Sequence, residues 1–293
     1  MLSRRAFTSS MLAAPLGAAR PGWIDAHSHV WTPDRRRYPL AAGFTPDHMK
    51  PASFTPEELL AQARPAGVER VVLIQISFYG VNNSYMLDSM ARFPGMFSGV
   101  AVIDENDNPA ATMRRLKRAG VRGFRIRPRT PEWLDGPGMA AMWKCGAAEG
   151  LAMCPLMDPG ALPALDRMCR RHPETTVVID HFARVGAGGE IREADVKQLC
   201  GLAAHPRVHV KLSAFYTLGK AQYPYLDLIP MIRRLYDVYG PRRLMWASDC
   251  PYQLQNGNTY RGSIELIRDR LDFLTPADRD WLLRDTAARV FFS

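Results

Sequence analysis

Trp23-Ile24-Asp25-Ala26-His27-Ser28-His29 is the stretch from which the fold can be read. An apolar start and a polar finish describe a short strand that reaches solvent at its carboxyl end. Side chains alternate across a strand. Asp25, His27 and His29 are therefore expected on one face, with Ile24, Ala26 and Ser28 on the other. Two imidazoles about 7 Å apart on one edge can converge on a single electrophile, such as a metal ion or a carbonyl oxygen. His-x-His is also a common pattern, and two ordinary histidines at a strand end would explain it as simply. The company these residues keep decides between the readings.

Strand-like segments rich in Val, Ile and Leu recur at 70–76, 98–103, 121–127, 151–156, 175–180, 207–212 and 243–248. Continuous apolar runs of this kind suit strands buried on both faces. Helix signals fall between them. Thr55-Pro56-Glu57-Glu58 is a capping box with proline at the first helical position, and Asn108-Pro109 opens a helix that Gly120 ends. Thr275-Pro276 caps a last helix running to about Phe292. Eight strand–helix units in 293 residues predict a closed (β/α)8 TIM barrel, an α/β fold in a single domain over residues 20–293. Residues 30–54, rich in proline and aromatic side chains, read as a long first loop over the barrel mouth.

Composition narrows the function classes. An apolar content of 47% supports a large core. No run of 18 apolar residues exists to span a membrane. The net charge of +9 favours a small anionic substrate. The basic residues are scattered rather than interleaved with aromatics on one face, which argues against nucleic acid. Five cysteines with no C-x-x-C pair are not a disulfide framework or a zinc ribbon. A homo-oligomer is left open. Ser3-Arg4-Arg5-Ala6-Phe7-Thr8, a short apolar stretch and Ala18-Ala19 resemble a twin-arginine signal peptide over residues 1–19. That reading predicts export to the periplasm; a plain basic N-terminus would leave the protein cytoplasmic.

In a TIM barrel the active site lies at the carboxyl ends of the strands. Polar residues there are His27 and His29 on the first strand, Gln75 and Ser77 on the second, and Arg125 and Arg127 on the fourth. His181 ends the sixth, His209, Lys211 and Ser213 mark the seventh, and Asp249 ends the eighth. Each alone has a bland explanation: His209 as a layer-filling residue, Lys211 paired with Asp25 or another interior acid, Asp249 as a helix cap. Six strands delivering polar groups to one end is hard to explain by packing.

These segments resemble the amidohydrolase superfamily. The resemblance rests on Asp25-Ala26-His27-Ser28-His29, on Val178-Ile179-Asp180-His181-Phe182-Ala183-Arg184 and on Trp246-Ala247-Ser248-Asp249-Cys250-Pro251-Tyr252. Gln75 to Asn83 and Val210-Lys211-Leu212-Ser213-Ala214 are similar to the branch that holds 2-pyrone-4,6-dicarboxylate lactonase and sugar lactonases. The resemblance implies a hydrolase opening a lactone, a cyclic ester, with Asp249 as general base and acid and His27, His29 and His181 polarising the carbonyl. It implies Ser77, Tyr79, Asn83, Arg125 and Arg127 as contacts to a carboxylated substrate. It allows one divalent, zinc-like metal on His27, His29, His181 and Asp249, and equally a metal-independent site. A metal-dependent decarboxylase of an aromatic or unsaturated acid is the alternative on the same barrel. Departures are informative. The fifth strand carries Met153-Cys154 and no histidine, and the fourth has no lysine, so a two-metal centre is not expected. Thr217 stands where dicarboxylate-lactone relatives carry arginine, and Thr286 where relatives carry asparagine.

Overall fold

The computed structural model describes residues 22–128 and 130–293. The leader, residues 1–19, lies outside the described residues. Eight strands form one parallel sheet in sequence order. They are β1 (Trp23–Ser28), β2 (Val68–Ile74), β3 (Phe97–Ala101), β4 (Val121–Ile126), β5 (Ala152–Pro155), β6 (Val177–Ile179), β7 (Val208–Leu212) and β8 (Leu244–Trp246). A parallel bridge between Ser28 and Cys250 brings the last strand's extension back to the first. Two backbone hydrogen bonds tie the same seam, Asp249 N to His27 O at 2.8 Å and His29 N to Cys250 O at 2.9 Å. The expected TIM barrel is the fold.

Helices α1 (Pro56–Ala63), α2 (Ser84–Arg92), α3 (Pro109–Arg118), α4 (Pro137–Glu149), α5 (Leu162–Arg171), α6 (Glu193–Gly201), α7 (Ile229–Tyr239) and α8 (Tyr260–Asp269) form the outer layer. Thr55 accepts from Glu58 N and the Glu58 carboxylate accepts from Thr55 N, so the capping box starts α1. The final segment is not one helix. It runs α9 (Pro276–Asp280), a π turn at Trp281–Asp285 and α10 (Thr286–Phe291). None of the described helices is long and apolar enough to cross a membrane.

Two apolar layers result. Between sheet and helices lies the large core. Inside the barrel, Ile24, Ala26, Val72, Ile74, Val100, Ala152, Cys154, Val178, Met245 and Ala247 pack together, and α10 adds Ala287 and Phe291. Burying the amino-terminal half of the cylinder this way leaves its carboxyl end for polar groups.

One expectation is overturned. Asp25 does not share a face with His27. The register with β2 slips between Asp25 and Ser28, a bulge that breaks the alternation. Ile24 and Ala26 face the barrel interior, whereas the Asp25 carboxylate turns outward. It accepts from His27 N, Ser248 N, Ser28 Oγ, Ser248 Oγ and, on α8, Tyr260 OH at 2.8 Å. Asp25 is a buried knot joining β1, β8 and α8. Lys211 accordingly pairs with another acid, Asp180.

The long first loop also differs from expectation. Trp31 and Phe54 pair across it as an antiparallel bridge, and the Trp31 indole donates to Pro51 O. The Trp31 ring packs on Phe78 and Tyr252. The loop buttresses one side of the mouth and contributes no residue to the wall of the cavity that holds His181 and Asp249.

Candidate active site

At the carboxyl end of the barrel a cavity of about 400 Å³ opens, and Asp249 lies at its floor with His29 and His181. Asp249 Oδ1 is 3.3 Å from His29 Nε2, 3.5 Å from His27 Nε2 and 3.8 Å from His181 Nε2. Three imidazoles from β1 and the end of β6 thus converge on one carboxylate oxygen. The Tyr216 hydroxyl holds the other, donating to Oδ2 at 2.7 Å.

Strained backbone places two of these groups. Asp249 has φ 59°, and His181 to Arg184 are four consecutive residues with φ between 52° and 57°. A left-handed conformation costs a residue with a Cβ about 1–2 kcal/mol. Such strain persists where the surroundings over-determine it, and it clusters at functional sites. Here it turns His181 inward and Arg184 to the cavity wall.

The remote nitrogen of each histidine is occupied. His29 Nδ1 donates to Ile74 O at 2.8 Å, and its Nε2 faces Asp249. His181 Nδ1 lies 2.7 Å from Ser213 Oγ. His27 Nδ1 lies 3.3 Å from both Asp180 Oδ1 and Lys211 Nζ. Lys211, fully buried, is also 3.0 Å from Asp180 Oδ1.

Charge balance follows. Burial alone would raise the Asp249 carboxyl; His181, His29 and His27 overcome it and hold Asp249 below the usual carboxylate range. Burial likewise opposes ionisation of Asp180, but Lys211 and His27 keep it ionised. Burial pushes His27 well below the ordinary imidazole value, against the pull of Asp180, and it lowers His181 against Asp249. Burial thus disfavours the charged forms of His27 and His181 beside a carboxylate that stays ionised.

The wall carries positive charge. Arg125 and Arg127, both from the β4 edge, line the cavity with Arg184. Arg127 donates to Ser77 Oγ at 2.5 Å, and Arg184 pairs with Asp158 at 3.0 Å. The buried Nε of Arg125 has no hydrogen-bond partner among the described residues. Burial, then Arg125 and Arg184, lower the Arg127 guanidinium, as expected for like charges awaiting an anion. Tyr216, Thr217 and Tyr252 also line the cavity. Burial and Asp249 push the Tyr252 hydroxyl up to about 12.

The structure brings His27, His29, His181, Asp249, Arg125, Arg127 and Ser77 together. Tyr79 and Asn83 it places elsewhere. The Tyr79 hydroxyl accepts from Thr32 N, and the Asn83 amide bridges Val81 O and both backbone groups of Val102. Both staple the β2–α2 connection. Asp180, Arg184, Tyr216 and Tyr252 join the site beyond the residues expected there, and Lys211, expected only as a polar residue of the seventh strand, lies against His27. The Asp-His pair at 180–181 was the available signal, since a carboxylate beside a strand-end histidine can support another imidazole.

A metal can be tested against this geometry. His27, His181 and Asp249 offer ligand atoms within 4.8 Å of one another. Two imidazoles and a carboxylate, each ring with its remote nitrogen engaged, suit one divalent ion with an open position. His29 Nε2, 3.3 Å from His27 Nε2, is a further donor. The residues fit the group.

Histidines after strands one and six and an aspartate after strand eight thus meet at one end of a parallel barrel. The chain belongs to the Amidohydrolase family, whose profile matches residues 24–292. L-fucono-1,5-lactonase of Burkholderia ambifaria is 32% identical over 236 residues, covering 78% of this chain and 80% of the relative. A 4-sulfomuconolactone hydrolase of Rhizobium radiobacter is 29% identical over 250 residues, 82% of this chain and 79% of the relative. A crystal structure from Pseudomonas putida, provisionally described as a 2-pyrone-4,6-dicarboxylic acid hydrolase, superposes with a TM-score of 0.79 at 26% identity. It covers 94% of this chain and 98% of its own.

Proposed function

We propose that the protein hydrolyses a lactone bearing an anionic group, a carboxylate or a sulfonate. One observation carries the reading. An ionised Asp249 ringed by three imidazoles shares a cavity with Arg125 and Arg127, neither of which is paired with an acid among the described residues. The relatives' names supply the bond type, since L-fucono-1,5-lactone and 4-sulfomuconolactone are both cyclic esters.

Arg125 and Arg127 bind the anionic group by charge-assisted hydrogen bonds and set the ring over the floor. Asp249 takes a proton from water as the water oxygen bonds to the carbonyl carbon. The His181 ring, on the cavity floor, faces the developing oxyanion, and the Ser213 hydroxyl can donate to its Nδ1 and leave an Nε2 proton to offer it. His27, fully buried behind it, turns its Nε2 toward Asp249, with Lys211 Nζ at its Nδ1. The ring C–O bond then breaks, and Asp249 returns its proton to the leaving oxygen. A divalent ion on His27, His181 and Asp249 would supply Lewis-acid polarisation of the same carbonyl.

The test is a lactone panel followed with a pH indicator, because ring opening releases a proton at neutral pH. Turnover of a carboxylated or sulfonated lactone, with a kcat/KM at least tenfold above that for neutral sugar lactones, is expected. Preference for neutral L-fucono-1,5-lactone would overturn the anionic assignment, and inertness toward every lactone the reaction class.

A further inference from the structure

Lys211 stands out among the buried groups. It is fully buried inside the barrel, with its Nζ 3.0 Å from Asp180 Oδ1, 3.3 Å from His27 Nδ1 and 5.4 Å from the Phe291 ring centre. Asp180 Oδ1 is shared between Lys211 and His27, while its Oδ2 has no hydrogen-bond partner among the described residues. His27 therefore has two competing partners at one nitrogen. Asp180 accepts a proton from Nδ1 and leaves a lone pair on Nε2, the form a metal ion needs. Lys211 donates to Nδ1 and leaves a proton on Nε2, the form that hydrogen-bonds a carbonyl oxygen.

We propose that Lys211 is a positioning residue that favours the Nε2-protonated tautomer of His27 and so weakens divalent-cation binding among His27, His181 and Asp249. Its charge acts in the same direction. It cancels the Asp180 carboxylate, which would otherwise strengthen His27 as a ligand. Carboxylate partners of ligating histidines are worth about 10–100-fold in metal affinity. The proposal rests on the lactonase reading for its catalytic meaning, but not for its test.

That test is zinc titration of the full chain by calorimetry, with no substrate present. Lys211→Met, an uncharged side chain of similar length, should bind zinc about 10–100-fold more tightly than wild type. The His27 ring in zinc-free wild type should show its proton on Nε2 by 15N NMR, and in Lys211→Met on Nδ1. Should Lys211→Met fail to fold, the same comparison runs in an Asp180→Asn background. There the double variant should bind zinc more tightly than Asp180→Asn alone. Equal or weaker zinc binding on losing Lys211, or an Nδ1 proton in zinc-free wild type, overturns the proposal. Absence of lactone turnover would refute the reaction class and leave these readings intact.

Discussion

The Tyr216 hydroxyl donates to Asp249 Oδ2 at 2.7 Å, opposite the oxygen that faces the three imidazoles. This bond locks the carboxylate in one rotamer and commits one oxygen, leaving the other for water. Burial and Asp249 push the tyrosine hydroxyl well above its ordinary value, so it is always a donor here. A hydrogen bond to a charged group is worth about 1.5–3 kcal/mol. Tyr216→Phe should therefore lower kcat by about tenfold or more with little change in KM. Steady-state kinetics on an active lactone check it, and a change confined to KM would count against this role.

Arg125 presents a buried Nε with no hydrogen-bond partner among the described residues, on the wall above Asp249. Arg125→Ala should raise KM for anionic lactones by about tenfold or more, at the 1.5–3 kcal/mol of a charge-assisted hydrogen bond. Neutral lactones should be nearly unaffected. An equal loss on both kinds would assign Arg125 to structure.

Asp25, by contrast, predicts stability. Five hydrogen bonds end on its carboxylate. Asp25→Ala strands buried donors on β1, β8 and α8. A loss of about 3–5 kcal/mol is expected, a drop on the order of 10 °C in melting temperature. A drop of under 2 °C would show that the knot contributes little.

Acid should destabilise the fold in two windows. Burial holds His27, His181 and His209 below the ordinary imidazole value, His209 at about 4. Each binds a proton more readily when unfolded. Stability is then complete above about pH 6.5 and declines as pH falls from there toward the folded values. Asp249 and Asp180, also held low, add a second loss below about pH 4. For His209 the shift from 6.5 to about 4 corresponds to about 3 kcal/mol. Melting temperatures from pH 7 to pH 4 should fall less steeply for His209→Phe than for wild type. Parallel curves would contradict the assignment.

Much of the site was legible in the sequence because a parallel barrel converts chain order into spatial order. His27, His181 and Asp249 lie far apart in sequence, yet each ends a strand, and strand ends meet at one rim. Arg125 and Arg127 were legible from alternation alone. The bulge at Asp25–Ser28 was not, because it comes from closing β1 against β8 rather than from local preference. Tyr79 and Asn83 were misplaced for a related reason. The single turn at Ser77–Tyr79 swings the chain away from the cavity once Ser77 has been delivered. The Lys211–Asp180 pair joins adjacent strands, since the register that sets Ile179 beside Val210 brings the next residues together, whereas periodicity states only that both point inward. Tyr216 reaches Asp249 because Ala214 takes a left-handed turn, φ 58°, which no residue preference at alanine announces.

The central claim is that Asp249 moves the proton of the attacking water. Ring opening of an anionic lactone by Asp249→Asn, measured beside wild type with melting temperatures as a control for folding, tests it most directly. A kcat at least about 100-fold lower, the scale of general base catalysis, is expected with the fold intact. Activity within tenfold of wild type would contradict it.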